Sequence, residues 1–252
     1  MKKCLVIHGS PRIGNTHKTI RLLMKQLQQK GEIEFEEISL HEINIPYCQG
    51  CSLCLYDDEK LCPHSETISE IEKKISSADG LIFGLPVYVM NVCGEVKNLI
   101  DHLAYSVHRP RFFKQDVLIV ATTSGIGAKK VAKYLKMVFA YQGFRNISIL
   151  PVICGDGNLK ISTGLEQKVA AAAGNFYRKM ISENPFRPSW KQIVYYNLFR
   201  ASALAGKAAN NGDYRYFHET GLLHKNHYYE LGLLKNLFAS FTFSVLKKLV
   251  KY

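Results

Sequence analysis

Five short apolar runs alternate with amphipathic stretches over roughly the first 180 residues: Lys3 to His8, "EIEFEEISL", "GLIFGLPVY", "QDVLIVATTS" and "RNISILPVIC". Apolar runs closed by small or polar residues suit strands buried in a parallel sheet. Helical patterns lie between them. In "NTHKTIRLLMKQLQQKG", Ile20, Leu23, Met24 and Leu27 fall on one face and Gly31 ends the segment. The others are "SETISEIEKKISSAD", with Ser65 as its N-cap, "CGEVKNLIDHL", "AKKVAKYLKMVFAYQG" and "TGLEQKVAAAAGNFYRKMIS". Strand–helix alternation of this kind means βαβ units, hence an α/β fold with a doubly wound parallel sheet.

The pattern stops near "ENPFRPSW", where Pro185 and Pro188 mark a boundary. Residues 1–184 form the expected α/β domain, and residues 185–252 an aromatic, basic, mostly helical extension. In it, Trp190, Ile193, Val194, Asn197, Leu198 and Ala201 recur at helical spacing. The final "LGLLKNLFASFTFSVLKKLVKY" is apolar nearly all round. Such a helix is buried, meets a partner chain or lies on a membrane.

No run of about 18 apolar residues predicts a spanning helix. The apolar run in "MKKCLVIHGSPR" is too short for a secretory signal, so a reducing cytoplasm is the expected setting. The net charge of +12 attracts anions without choosing among them. No nucleic-acid motif accompanies it, so nucleic-acid binding is not expected.

Three loops follow strand ends, where open α/β sheets bind ligands. "GSPRIGNT", Gly9 to Thr16, precedes the first helix, whose N–H groups and dipole favour an anion. Ser10, Asn15 and Thr16 add short polar side chains, and Arg12 adds a fork-shaped cation suited to phosphate. The loop is neither a Walker A nor a G-x-G-x-x-G motif, and an ordinary polar turn is the bland alternative. The second loop contains "LPVYVMNVCGE", where Tyr88 offers an aromatic face or simply packs in the core. The third is "TTSGIGA", with Thr122, Thr123, Ser124 and Gly125.

Four of the seven cysteines, Cys48, Cys51, Cys54 and Cys62, fall in one loop as C-x2-C-x2-C-x7-C. A disulfide pair is disfavoured in a reducing compartment. A mononuclear zinc site usually draws on two separated pairs. Three thiolates at two-residue gaps suit three corners of a cubane cluster, with Cys62, followed by Pro63, as the fourth. Against this, "LYDDEKL" places three acidic residues between the third and fourth cysteines, and a plain loop stays open. Cys4, Cys93 and Cys154 read as buried small hydrophobes.

Taken together, "GSPRIGNT", "DGLIFGLPVYVMNVCGEVKNLIDH" and "TTSGIG" resemble the three flavin loops of the flavodoxin-like NAD(P)H-dependent FMN reductase family. The resemblance covers about residues 1 to 180. It implies a five-stranded sheet of order 2-1-3-4-5 with FMN at the switch point and NAD(P)H as electron donor. By position, Ser10, Arg12, Asn15 and Thr16 would hold the FMN phosphate, assisted by His17. Pro86, Val87, Tyr88, Met90 and Asn91 would lie along the isoalloxazine. Thr122, Thr123, Ser124 and Gly125 would meet its pyrimidine side. His102 departs from the family, many of whose members carry arginine there.

The cysteine loop resembles the iron–sulfur flavoprotein branch, in which C-x2-C-x2-C and a further cysteine hold a [4Fe–4S] cluster beside FMN. The branch implies an electron carrier fed by ferredoxin. The wider family implies a reductase passing electrons to a quinone, flavin or protein. Dimers or tetramers are usual for similar proteins, and peripheral membrane contact through the last helix is the alternative use of that helix. The tyrosine-rich "NGDYRYFHETGLLHKNHYYE" is placed to lie over a flavin edge. No general base is required of the protein, because FMN carries the redox chemistry, and His8 reads as a packed histidine.

Overall fold

The computed structural model describes residues 1–155 and 157–250. Five parallel strands run β1 (Lys2–His8), β2 (Ile33–Ser39), β3 (Gly80–Tyr88), β4 (Asp116–Thr123) and β5 (Ile147–Ile153). They pair in the order 2-1-3-4-5. A two-residue strand, Asn91–Val92, lies off this path and pairs antiparallel with the end of β3. The sequence reading did not foresee it. Its turn residues, Val89 and Met90, have φ of 47° and 61°. Two-residue hairpins of this kind favour Asn-Gly, and a β-branched residue is strained there.

Side-chain alternation along the strands divides the interior into two cores. Leu5 and Ile7 of β1, Leu81 and Phe83 of β3, and Val117 and Ile119 of β4 face one. Cys4, Val6, Ile82, Leu118 and Val120 face the other. Helices cover both faces, which is why the strands are apolar throughout. The second core is covered by α1 (Asn15–Gln28), through Ile20, Leu23 and Leu27. The first is covered by α2 (Ser65–Ser77), α3 (Gly94–His102) and α4 (Ala128–Tyr141). The last helix of the α/β domain, α5 (Thr163–Met180), joins α1. Ser65 is not the cap of α2. His64 occupies that position, and Ser65 N donates to Cys62 O at 2.9 Å.

Past the two prolines, Ser189 and Gln192 close a capping box that starts α6 (Trp190–Ala205). Then come α7 (Gly212–Glu219) and α8 (Leu233–Leu249). Tyr196, Ala203, Phe217, Leu222 and Leu223 form a third, smaller core. One side of α8 packs on α6, with Phe238 edge-on to Trp190 and Phe243 beneath Arg200. Leu234, Leu237, Phe241 and Val245 remain uncovered within one chain. No helix among the described residues is long and apolar enough to cross a membrane. The tyrosine-rich segment does not reach the flavin loops. Tyr229 donates to Phe113 O and Gly143 O, both at the amino ends of strands, opposite those loops.

His227 makes the extension acid-sensitive. It is buried against Tyr196 and Tyr228, and its Nδ1 accepts from Tyr229 N at 3.1 Å. Burial first, then Lys235, lowers its pKa from 6.5 to about 3. The unfolded chain therefore takes up a proton below pH 6.5 that the fold refuses until about pH 3. Stability from this group is complete above the unfolded value and drains as pH falls, by about 2 kcal/mol between pH 7 and pH 5. Trp190, the single tryptophan, reports on the extension. Its unfolding midpoint in urea is expected to fall over that range in the native chain and to fall less in His227→Phe. Equal slopes in the two chains would contradict the assignment.

Candidate functional site

The end of β1 passes close under α3. A Cβ on Gly9 would sit 2.4 Å from Val96 Cγ2 and 3.0 Å from Gly84 O, so this position needs glycine. The loop beyond it enters α1 through Gly14, with no side-chain cap and no acidic residue in the first turn. Among the described residues, the first N–H groups of α1 therefore meet no side-chain acceptor, next to Arg12.

Ser10, Arg12, Asn15, Thr16, Pro86, Val87, Tyr88, Thr122, Thr123 and Ser124 border one cleft of about 430 Å³. The first and third loops are bolted together: Thr16 Oγ1 lies 2.7 Å from Thr122 Oγ1, both buried. Asn15 is occupied within the protein. Its Nδ2 donates to Gly157 O, and its Oδ1 accepts from Leu159 N. It shapes the cleft by holding a fourth loop that the sequence reading missed, from which Cys154, Gly157 and Asn158 also border the cleft. Cys154 is therefore not a buried core residue: it is half-buried, just past β5, and burial pushes its thiol up. Its place at a strand's carboxyl end was the available signal.

Met90, Asn91, Gly125 and His17 do not border this cleft. Met90 lies against Gly127 beside the third loop, and Asn91 Oδ1 accepts from Val92 N in the hairpin. Gly125 N donates to Thr123 Oγ1 at 3.4 Å. His17 stacks on His8 at 4.1 Å, and His8 in turn pairs with Glu37 at 2.8 Å. Burial first, then His8 and Arg21, holds the His17 ring below its ordinary pKa. It borders a second, larger cleft of about 940 Å³ between α1 and β2, which Ser10 and Arg12 also line.

The cysteine loop leaves β2 and is pinned by α3. Asn98 Oδ1 accepts from Cys48 N, and Asn98 Nδ2 donates to Ile45 O and Pro46 O. Cys48, Cys51, Cys54 and Cys62 all border one small cavity, with His64 and His102. All four are free thiols. Burial, then Cys62, pushes the Cys54 thiol up; Arg109 opposes this, while Cys48 and Cys51 add to it. Crowding four thiols without a disulfide is a donor set that fits an iron–sulfur cluster. The acidic spacer does not stand against it, because two of its three acidic residues are paired with arginines. Asp57 pairs with Arg215 at 2.6 Å, and Glu59 with Arg109 and Arg111 at 2.6 and 3.1 Å. None of Asn98, Arg109 or Arg111 was singled out from the sequence.

The sequence profile described as NADPH-dependent FMN reductase matches residues 2–154. The chain belongs to that family. An iron–sulfur flavoprotein of Archaeoglobus fulgidus is 30% identical over 184 residues, covering 70% of this chain and 82% of that protein. An iron–sulfur flavoprotein of Methanocaldococcus jannaschii is 40% identical over 100 residues, covering 39% of this chain and 50% of that protein. This FMN reductase relative therefore falls among proteins named for a cluster and a flavin. Its fold is similar to that of the NAD(P)H:quinone oxidoreductase from Methanothermobacter marburgensis, with a TM-score of 0.53 at 15% identity over 71% of this chain and 98% of that one. An FMN-dependent NADH-azoreductase from Bacillus anthracis gives 0.52 at 16% identity over 72% and 100%. The FMN reductase match ends at residue 154, before the helical extension begins.

Proposed function

We propose that the chain is an FMN-dependent oxidoreductase that takes electrons from NAD(P)H and passes them to a quinone, flavin or protein acceptor. The observation that carries this is the convergence of three loops on one cleft at the carboxyl edge of the sheet, polar at the α1 end and aromatic at Tyr88. Its volume of about 430 Å³ suits a small cofactor. FMN, when bound, supplies hydride acceptance and release of electrons singly or in pairs.

The residues do the rest. Arg12 and the first-turn N–H groups of α1 hold the phosphate. The Thr16–Thr122 bond fixes the spacing between the phosphate loop and the third loop. Pro86, Val87 and Tyr88 present a rigid edge for a flat ring, and Thr123 and Ser124 offer polar groups to its rim. Asn15 holds the fourth loop at the border of the cleft.

The iron–sulfur flavoprotein reading adds a [4Fe–4S] cluster on Cys48, Cys51, Cys54 and Cys62. It is favoured by the four thiols around one cavity and by the neutralised spacer. One helix, α3, follows the second flavin loop and carries Asn98, which anchors Cys48. In the test, anaerobic FMN-loaded protein is mixed with NADPH or NADH. Bleaching of the flavin absorbance, reversed by a quinone, is expected. Reconstitution with iron and sulfide is expected to give an EPR signal after reduction that Cys51→Ala loses. Flavin that neither nucleotide reduces, but reduced ferredoxin does, would replace the reductase by the electron carrier.

A further inference from the structure

Two histidines stand beside the cysteine loop that a cluster with four thiolates has no need of. His64 Nδ1 lies 2.9 Å from His102 Nε2, and His102 Nδ1 lies 2.9 Å from Asn98 O. The carbonyl can only accept, so His102 Nδ1 carries a proton. In the neutral ring Nε2 then has a lone pair, and His64 Nδ1–H donates to it. A ring nitrogen from each histidine and the Cys62 thiol lie within 4.8 Å of one another.

We infer that Cys62, His64 and His102 bind one divalent ion of the zinc class, as an alternative occupant of the loop that claims Cys62 from the cluster. Three features support it. A sulfur and two imidazole nitrogens are the donor types that zinc takes in tetrahedral sites. The His64 Nδ1–His102 Nε2 contact brings two ring nitrogens to one point, and moving the single proton off His64 Nδ1 leaves two lone pairs for a cation. His102 donates its other N–H to a backbone carbonyl, the outer contact that fixes the tautomer of metal-binding histidines. His102 is 2% exposed and rigid on α3, so half the site is held before any ion arrives.

Ligands of a tetrahedral zinc site sit about 3.5 Å apart, so closure from 4.8 Å needs only side-chain movement. On binding, Cys62 gives up its thiol proton to solvent, and His64 loses its Nδ1 proton to solvent and takes one up on Nε2, so that Nδ1 is free to bind. The fourth position is left to a water molecule. Cys48 and Cys51 have no part in this site, which separates it from the cluster.

The experiment uses full-length, chelator-stripped protein titrated anaerobically with Co²⁺ and then Zn²⁺. The expected result is one Co²⁺ per chain, with the thiolate charge-transfer and tetrahedral d–d bands, displaced by Zn²⁺. Loss of an outer-shell partner alone weakens a site about 10- to 100-fold. His64→Ala and Cys62→Ser, each checked for native circular dichroism and FMN binding, are therefore expected to weaken Co²⁺ by about 100-fold or more. Cys51→Ser is expected to bind Co²⁺ as the native chain does while failing to take up iron and sulfide. Octahedral spectra, or unchanged affinity in His64→Ala, would overturn the assignment. So would equal loss in Cys51→Ser, which places the ion on the four cysteines.

Discussion

Replacing Arg109 with methionine is expected to cost about 3–5 kcal/mol of folding stability, because it takes a buried cation from two carboxylates and the donor from two backbone carbonyls at once. Arg109 is 2% exposed. Its Nη1 donates to Glu59 Oε2 at 2.6 Å, and its Nη2 donates to Leu55 O at 3.1 Å and to Cys54 O. Its Nε lies 3.0 Å from Asp213 Oδ1, an ion pair without the alignment of a hydrogen bond. One side chain thus joins the spacer between the third and fourth cysteines to α7 of the extension. A loss of that size is about a fifth or more of the stability of a typical domain. Glu59 keeps Arg111 and Asp213 keeps His108, so the chain is expected to fold, with a lower urea midpoint and a looser cysteine loop. The double variant Arg109→Met/Asp213→Leu is expected to recover part of the loss, since it also removes the stranded carboxylate. A loss under about 1 kcal/mol in the single variant would show the pair to be no more than a surface bridge.

The contrast between β1 and this network shows what the sequence could reveal. Cys4 to Ile7 form a continuous apolar run, and Ile20, Leu23 and Leu27 repeat at helical spacing. Both patterns come from burial against the same sheet, so they can be read locally and give the strand order once connected. The three loops were legible because strand ends fix where they lie. Arg109, Asp213, His64 and His102 were not, because their pairings span tens of residues and leave no periodic trace. Asn15 was read from its loop as a phosphate ligand, yet its amide serves a loop more than 140 residues away. Val89 was invisible as a turn because its positive φ and 97% exposure contradict its own propensity. Strain of that kind is held by the surrounding structure and often marks a functional loop.

Arg12→Ala is expected to weaken FMN by about 1.5–3 kcal/mol, the usual worth of a hydrogen bond to a charged group, or roughly 10- to 150-fold. Arg12 borders the cleft beside an α1 terminus that has no acidic residue to compete with an anion. The chain's +12 charge draws anions near at long range, but only a contact at this loop distinguishes phosphate from bulk attraction. Added salt is therefore expected to slow FMN association in the native chain without erasing the difference from Arg12→Ala. The variant's fold is expected to be intact, since its backbone contacts with Ser10 do not depend on the guanidinium.

Equilibrium titration of flavin-free, full-length protein with FMN, followed by flavin fluorescence, tests the central claim most directly. One FMN per chain is expected, with its fluorescence changed on binding, weakened by Arg12→Ala and by Tyr88→Ala, which of the two clefts borders only the three-loop one, and unaffected by Lys25→Ala in the larger cleft between α1 and β2. Protein that binds no FMN, or an affinity that follows Lys25 and ignores Tyr88, would contradict the assignment of the flavin to the three-loop cleft.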